Sequence, residues 1–79
     1  MDWWVYAIKS EQDGRIYVGM SSDISRRINE HNKKKVRSTK AYTPWVIIFK
    51  EFIGDRKKAR EKEKYYKSGI GKEILKRKT

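Results

Sequence analysis

The run Trp3-Trp4-Val5-Tyr6-Ala7-Ile8-Lys9, followed by Glu11-Gln12-Asp13-Gly14 and then by Arg15-Ile16-Tyr17-Val18-Gly19-Met20, decides how this chain begins to fold. Aromatic and β-branched residues fill the first run and turn-forming residues bound it, so a strand is expected to enter a hairpin turn there. A second strand resumes from Arg15 to Met20, and Gly19 closes it where a missing side chain permits close backbone approach. Ser21-Ser22-Asp23 offers N-cap candidates for a helix running to about Asn32, with Ile24 and Ile28, four apart, as its buried stripe.

Residues 32–44 contain Lys33-Lys34-Lys35, Arg37, Lys40 and Pro44, and are expected to form a basic loop rather than a regular element. Trp45-Val46-Ile47-Ile48-Phe49 is almost continuously apolar, as a strand covered on both faces would be, and it fades through Lys50 to Phe52. Gly54-Asp55 marks the next boundary, with Asp55 an N-cap candidate for a helix running to about Lys67. Ala59, Glu63, Tyr66 and Ile70 share one stripe of that helix at about 100° per residue. Glu63 therefore faces the body of the protein, whereas Glu61 is turned roughly 200° away. An inward carboxylate on a lysine-rich helix either pairs with a buried cation or holds a metal ion. Ser68-Gly69-Ile70-Gly71 is expected to end the helix, and Lys72 to Thr79 either forms a short basic helix or frays. With no repeat or linker in view, residues 1–79 read as one domain.

Among the 79 residues, 21 Lys plus Arg stand against 10 Asp plus Glu, a formal charge of +11. A domain this short buries only roughly 60% of the surface its unfolded chain exposes, so its core must be compact and aromatic-rich. The absence of cysteine excludes a disulfide scaffold, thiolate metal sites and thiol catalysis. No run approaches the length needed to span a bilayer, and Met1-Asp2-Trp3-Trp4 lacks the basic start and apolar stretch of a signal peptide. A bacterial-type cytoplasmic location is the default expectation. Eleven of the basic residues fall in 56–79, against Glu61, Glu63 and Glu73. Such a charge attracts a polyanion at a steered rate, with nucleic acid the leading partner. An anionic membrane is the weaker one, because too few apolar residues accompany the basic helix. The plainer reading of the same run is a solvated helical face.

The order strand, strand, helix, strand, helix carries Trp4-Val5-Tyr6, Tyr17-Val18-Gly19, Asp23, Arg27, His31-Asn32, Thr39 and the Ala59 to Glu63 helix. That ordered set, over roughly residues 3 to 75, resembles the GIY-YIG nuclease superfamily, and within it the short bacterial URI-like proteins. The resemblance implies an α/β fold of the α+β type, with a three-stranded antiparallel sheet flanked by helices in the order β-β-α-β-α. It also implies hydrolysis of DNA assisted by one divalent cation, Mg²⁺ or Mn²⁺. The first motif departs from the family pattern in carrying Trp4 where a glycine leads. A polar residue that larger members add near the end of the module, often asparagine, has no clear equivalent, and their DNA-recognition domains are absent, so the resemblance identifies no target.

The chemistry has its own logic. Cutting a phosphodiester with water needs a deprotonated nucleophile, stabilised charge in the transition state and an eased leaving oxygen. Arg27 suits the second task because its planar, permanently charged fork binds phosphate oxygens in two places. His31, four residues along the same helix, can stand beside Arg27 over one phosphate. Glu63 suits Mg²⁺, which takes one or two protein oxygens and completes its shell with water and phosphate. The resemblance implies that Tyr6 is the general base or positions the water, with Tyr17 positioning the water or Tyr6, and His31 contacting phosphate or relaying a proton. A free tyrosine with a pKa of about 10 is under about 1% ionised at neutral pH. Arg27, a bound metal and the positive chain are expected to favour the anion, although a neutral Tyr6 could equally carry the proton of a metal-bound water.

Taken singly, each of these residues has an ordinary structural reading: a half-buried strand tyrosine, a solvated helix arginine, a satisfied histidine, or a Glu63 paired with Lys67 at i+4. Lys33, Lys34, Lys35, Arg37, Lys40 and Lys67 are then assigned to sequence-independent phosphate binding, with affinity falling steeply in salt. Trp3, Trp45 and Tyr42 could stack on bases, core packing being the stronger expectation for the two tryptophans. The alternative function is a non-catalytic basic module binding DNA or RNA on the same fold.

Overall fold

The computed structural model describes residues 2–78. Strand β1 (Trp3–Ser10) and β2 (Ile16–Ser21) lead into helix α1 (Ile24–Asn32). A 3-10 turn (Lys40–Tyr42), strand β3 (Trp45–Gly54), helix α2 (Arg56–Lys67) and helix α3 (Gly69–Lys76) follow. The sheet is antiparallel with order β2-β1-β3, so the first strand is the central one. This is the three-stranded α+β architecture that the resemblance implied, with the C-terminal segment helical.

Side-chain alternation along β1 builds the two faces. Val5 and Ala7 point to one side, where they pack with Val18, Ala59 and Tyr66 of α2 and Leu75 of α3. Tyr6 and Ile8 point to the other, where Trp45, Tyr17, Tyr42 and the Ile24–Ile28 stripe of α1 cover them. The two helical layers therefore lie on opposite faces, as strict period-two alternation demands. Each helix begins on an oxygen side chain that accepts from the backbone N–H three residues on: Asp23 from Arg26, Asp55 from Lys58 and Ser68 from Gly71.

Three expectations are corrected. The apolar run Trp45–Phe49 is covered only in part: β3 lies at the sheet edge, and Val46 and Ile47 are each 42% exposed. A register shift between Ala7/Ile8 of β1 pairs them with Phe49 and Ile47, leaving Ile48 as an extra residue. The bulge changes the phase of alternation, so Ile48 and Phe49 both pack toward the α2 and α3 side while Trp45 faces α1. The continuous apolar run thus belongs to a bulged edge strand that feeds both cores and leaves Val46 and Ile47 part-exposed. Ile70 leaves the α2 stripe and is 71% exposed, because Ser68 ends α2 and at once caps α3. Leu75 takes the core place instead. The basic loop also holds one regular element, the 3-10 turn. Thr79, included in the expected final segment, lies outside the described residues. Among the described residues no helix is long and apolar enough to cross a membrane.

Candidate active site

Tyr6 lies at the middle of the central strand and is 1% exposed. Opposite it on β2 stands Gly19, and the phenol ring lies across that glycine. A Cβ at Gly19 would fall 2.5 Å from the Tyr6 hydroxyl oxygen and 2.7 Å from Cζ, so only glycine admits the ring. The hydroxyl is thereby carried over the edge strand to the sheet margin, 2.8 Å from His31 Nε2.

His31 is fully buried, and its second nitrogen, Nδ1, lies 2.8 Å from Thr39 Oγ1. Thr39 is also fully buried, and its hydroxyl donates to the Val36 carbonyl at 3.4 Å. With that proton committed, Thr39 Oγ1 accepts from Nδ1–H, and Nε2 keeps the lone pair that accepts the Tyr6 O–H. Burial first, and then the charge of Arg27, push the His31 pKa down to about 4, so the ring is neutral at physiological pH. The ring has no exposed surface and both of its nitrogens are engaged. The chain Tyr6, His31, Thr39 and Val36 is directional throughout.

Of the two states left open for Tyr6, the protein's own groups favour the neutral phenol. Burial, reinforced by Tyr17, raises the Tyr6 pKa to about 12. Arg27 pulls the other way by hydrogen bonding and charge, and the Glu63 carboxylate adds to the rise. Desolvation outweighs the cation, and Tyr6 is a neutral phenol.

Arg27 projects from α1 beside Tyr6, and its Nη1 lies 3.1 Å from Glu30 Oε1 one turn on. Burial works against its charge, but the hydrogen bonds to Glu30 and Tyr6 outweigh it and raise its pKa. Tyr17 sets its ring edge-to-face on His31, with centroids 5.0 Å apart, and on Trp45 at 6.4 Å. Glu63 arrives from α2 on the opposite face of the sheet, near enough for its charge to act on Tyr6. Its side chain is 20% exposed and its Oε2 lies 3.5 Å from Lys67 Nζ. Lys67, expected to meet phosphate, thus pairs with the carboxylate in the i+4 arrangement that was the plainer reading of Glu63.

Lys33, Lys34, Lys35, Arg37 and Lys40 are exposed around the end of α1, on the connection that leads to the 3-10 turn. The helix ends in a two-bond cap, Lys34 N–H to His31 O at 3.1 Å and Lys35 N–H to Glu30 O at 3.0 Å. This places Lys34 at φ 63, in the left-handed region that favours glycine. Tyr42 is not free for stacking, because the Arg15 guanidinium lies 3.5 Å over its ring.

Sequence reasoning gave no role to Thr39, Glu30 or Asn32. Asn32 accepts from Trp45 N–H at 2.6 Å and donates to Trp45 O at 3.0 Å, tying the end of α1 to the start of β3. Thr39 also accepts from Trp45 Nε1 through its carbonyl at 2.9 Å. The one available signal was the place of both residues in the ordered motif set.

The sequence profile of the GIY-YIG catalytic domain matches residues 2–76. The chain belongs to the GIY-YIG family. Among curated proteins, this GIY-YIG chain is 36% identical over 63 residues to the UPF0213 protein DP2720 of Desulfotalea psychrophila, covering 77% of this chain and 56% of that protein. It is 32% identical over 61 residues to the UPF0213 protein plu4503 of Photorhabdus laumondii, covering 76% and 59%. The chain therefore spans less than two thirds of the length of these relatives. The solution structure of the UPF0213 protein BH0048 from Bacillus halodurans matches with a TM-score of 0.58 and 28% identity, covering 95% of this chain and 82% of that one. The matched range takes in Tyr6, Tyr17, Gly19, Arg27, His31 and Glu63.

Proposed function

We propose that this GIY-YIG domain is an endonuclease that hydrolyses DNA phosphodiester bonds with the help of a divalent cation, in a cytoplasmic setting and with little sequence preference. One observation carries the reading: the proton of a neutral Tyr6 is directed at a neutral His31, beside Arg27 and Glu63. The phenol oxygen, beside its hydrogen bond from Arg27, is the acceptor for the attacking water. As that water loses a proton to Tyr6 Oη, Tyr6 passes its own proton to His31 Nε2, and no free phenolate forms. The hydroxide so generated attacks phosphorus, and the bond to the leaving oxygen breaks as that oxygen takes a proton from solvent. Arg27 binds the non-bridging oxygens where negative charge accumulates. Tyr17 packs on His31 and keeps the relay in register.

The donor set fits a hard cation. Among the described residues no three acidic, histidine or cysteine side chains cluster as a protein cage, which suits Mg²⁺ or Mn²⁺ held by the Glu63 carboxylate alone with waters and phosphate completing the shell. When bound, such an ion neutralises charge on the phosphate and the leaving oxygen. Lys67, half exposed, swings away to leave Glu63 Oε2 free. The exposed basic loop 33–40 supplies phosphate contacts on either side.

The Glu63–Lys67 pair also favours a second reading, a non-catalytic nucleic-acid-binding module in which Glu63 is a surface ion-pair partner. Cleavage of a labelled panel of single-stranded, duplex and branched DNA separates the two, run with Mg²⁺ or Mn²⁺ and with chelator, for the wild type and Glu63→Gln. Metal-dependent cutting by the wild type alone is expected. Binding without cutting under every condition overturns the nuclease.

A further inference from the structure

Trp4 and Phe52 are the two large aromatic residues of the sheet that belong to neither hydrophobic core. They are cross-strand partners on β1 and β3, packed edge-to-face with centroids 5.3 Å apart and planes at 70°. Phe52 is 54% exposed and Trp4 is half-buried. Both lie on the α1 side of the sheet, the side to which Tyr6 points, because Trp4 precedes Tyr6 by two residues. Trp4 also walls a cleft of about 330 Å³ whose remaining lining is Lys50 of β3 and the Ser22–Ser25 turn that opens α1. Lys50 is the cross-strand partner of Tyr6, and its Nζ lies 5.8 Å from the Trp4 ring centroid.

The two packed rings keep an apolar face in water, beside a lysine, that neither hydrophobic core covers. On a chain of charge +11 the complementary occupant is an anion with a flat apolar body. We infer that the Trp4–Phe52 pair, with Lys50, is a stacking subsite for one unstacked nucleobase of the strand whose phosphate reaches Tyr6. Paired bases inside a duplex offer no free face to these rings, so the subsite selects DNA that is single-stranded or locally unpaired next to the cut. Lys50 meets the phosphate of the stacked nucleotide, and the Ser22 and Ser25 hydroxyls border the base edge. The inference deepens the nuclease reading and rests on it for the placing of the phosphate.

The test is binding, in chelator so that no strand is cut. The full chain is titrated with fluorescently labelled oligothymidylate and with a duplex of equal length, as wild type, Phe52→Ala and Trp4→Leu. Phe52→Ala changes a largely exposed ring, and circular dichroism verifies that each variant is folded. Both variants are expected to bind oligothymidylate about 5- to 100-fold more weakly, the range for losing one base–aromatic stack, with duplex binding changed less than about twofold. Quenching of tryptophan fluorescence by oligothymidylate, lost in Trp4→Leu, is the accompanying signature. Unchanged single-strand affinity in folded Phe52→Ala, or equal losses on both forms of DNA, overturns the subsite. A wild type that never cuts DNA yet shows this pattern refutes the nuclease and leaves the subsite standing; cutting with no such pattern does the reverse.

Discussion

The Tyr6 hydroxyl oxygen and His31 Nε2 stand 2.8 Å apart, and neither residue exposes more than 1% of its surface. The phenol is held as a donor toward the protein interior. Tyr6→Phe keeps the ring over Gly19 but leaves a buried imidazole nitrogen without its donor, at an expected cost of about 1–3 kcal/mol. Cleavage is expected to fall at least about 100-fold, the size of a lost acid–base group. Urea unfolding and a single-turnover assay on the same preparation check both parts. Full activity in the phenylalanine variant refutes the relay.

Gly19 is coupled to Tyr6 by the space it leaves empty. Gly19→Ala puts a methyl group 2.5 Å from the hydroxyl oxygen, so the ring must shift. Overpacking of this kind costs about 1–3 kcal/mol. Loss of cutting in a variant that still folds and still binds DNA, as gel shift and circular dichroism report, is the expected outcome.

His31 makes stability depend on pH with a definite sign. Its pKa is about 4 in the folded chain against an ordinary value of 6.5, so below pH 6.5 the unfolded chain takes up a proton that the native one refuses. The contribution is fully present above pH 6.5, is lost as pH falls toward 4, and amounts to about 3 kcal/mol. Acid also increases the self-repulsion of the whole chain, so the comparison is with His31→Gln. The stability difference between wild type and variant, from urea midpoints, is expected to shift against the wild type between pH 7 and pH 4. A constant difference refutes a neutral buried imidazole.

Lys34 occupies the one left-handed position among non-glycine residues described. Lys34→Gly relieves that backbone and is expected to stabilise the chain by about 1 kcal/mol. Nucleic-acid affinity is expected to fall at the same time, with a shallower salt slope by about one unit if the lysine contacts a phosphate. Thermal melts and binding at several salt concentrations read the two effects separately.

The hairpin, α1 and α2 were legible because each carries a local signal: turn residues after Lys9, an Asp before Ile24, an Asp before Arg56. The observed spans, Trp3–Ser10, Ile16–Ser21, Ile24–Asn32 and Arg56–Lys67, depart from expectation by a residue or so. The edge position of β3 was not legible, because a bulge at Ile48 and a second covered face leave the same apolar run in sequence. Nor was the break at Ser68, where one residue both stops α2 and caps α3. Within the site, residue types and order were readable but protonation was not. The competition between Arg27 and desolvation at Tyr6 depends on how deeply the phenol lies, which spacing does not report.

The central strand comes first in the chain and one of its two neighbours, β3, comes after residue 44, while Glu63 reaches Tyr6 from the far side of the sheet. During synthesis on the ribosome, the first 40 or so residues carry both tyrosines, Arg27 and His31, yet lack the strand and helix that complete the sheet and bring in the carboxylate. Residues 1–40 alone therefore leave β1 without its β3 neighbour and Tyr6 without the charge of Glu63. An emerging chain therefore gathers the residues around Tyr6 only after β3 and α2 have followed α1 out of the ribosome.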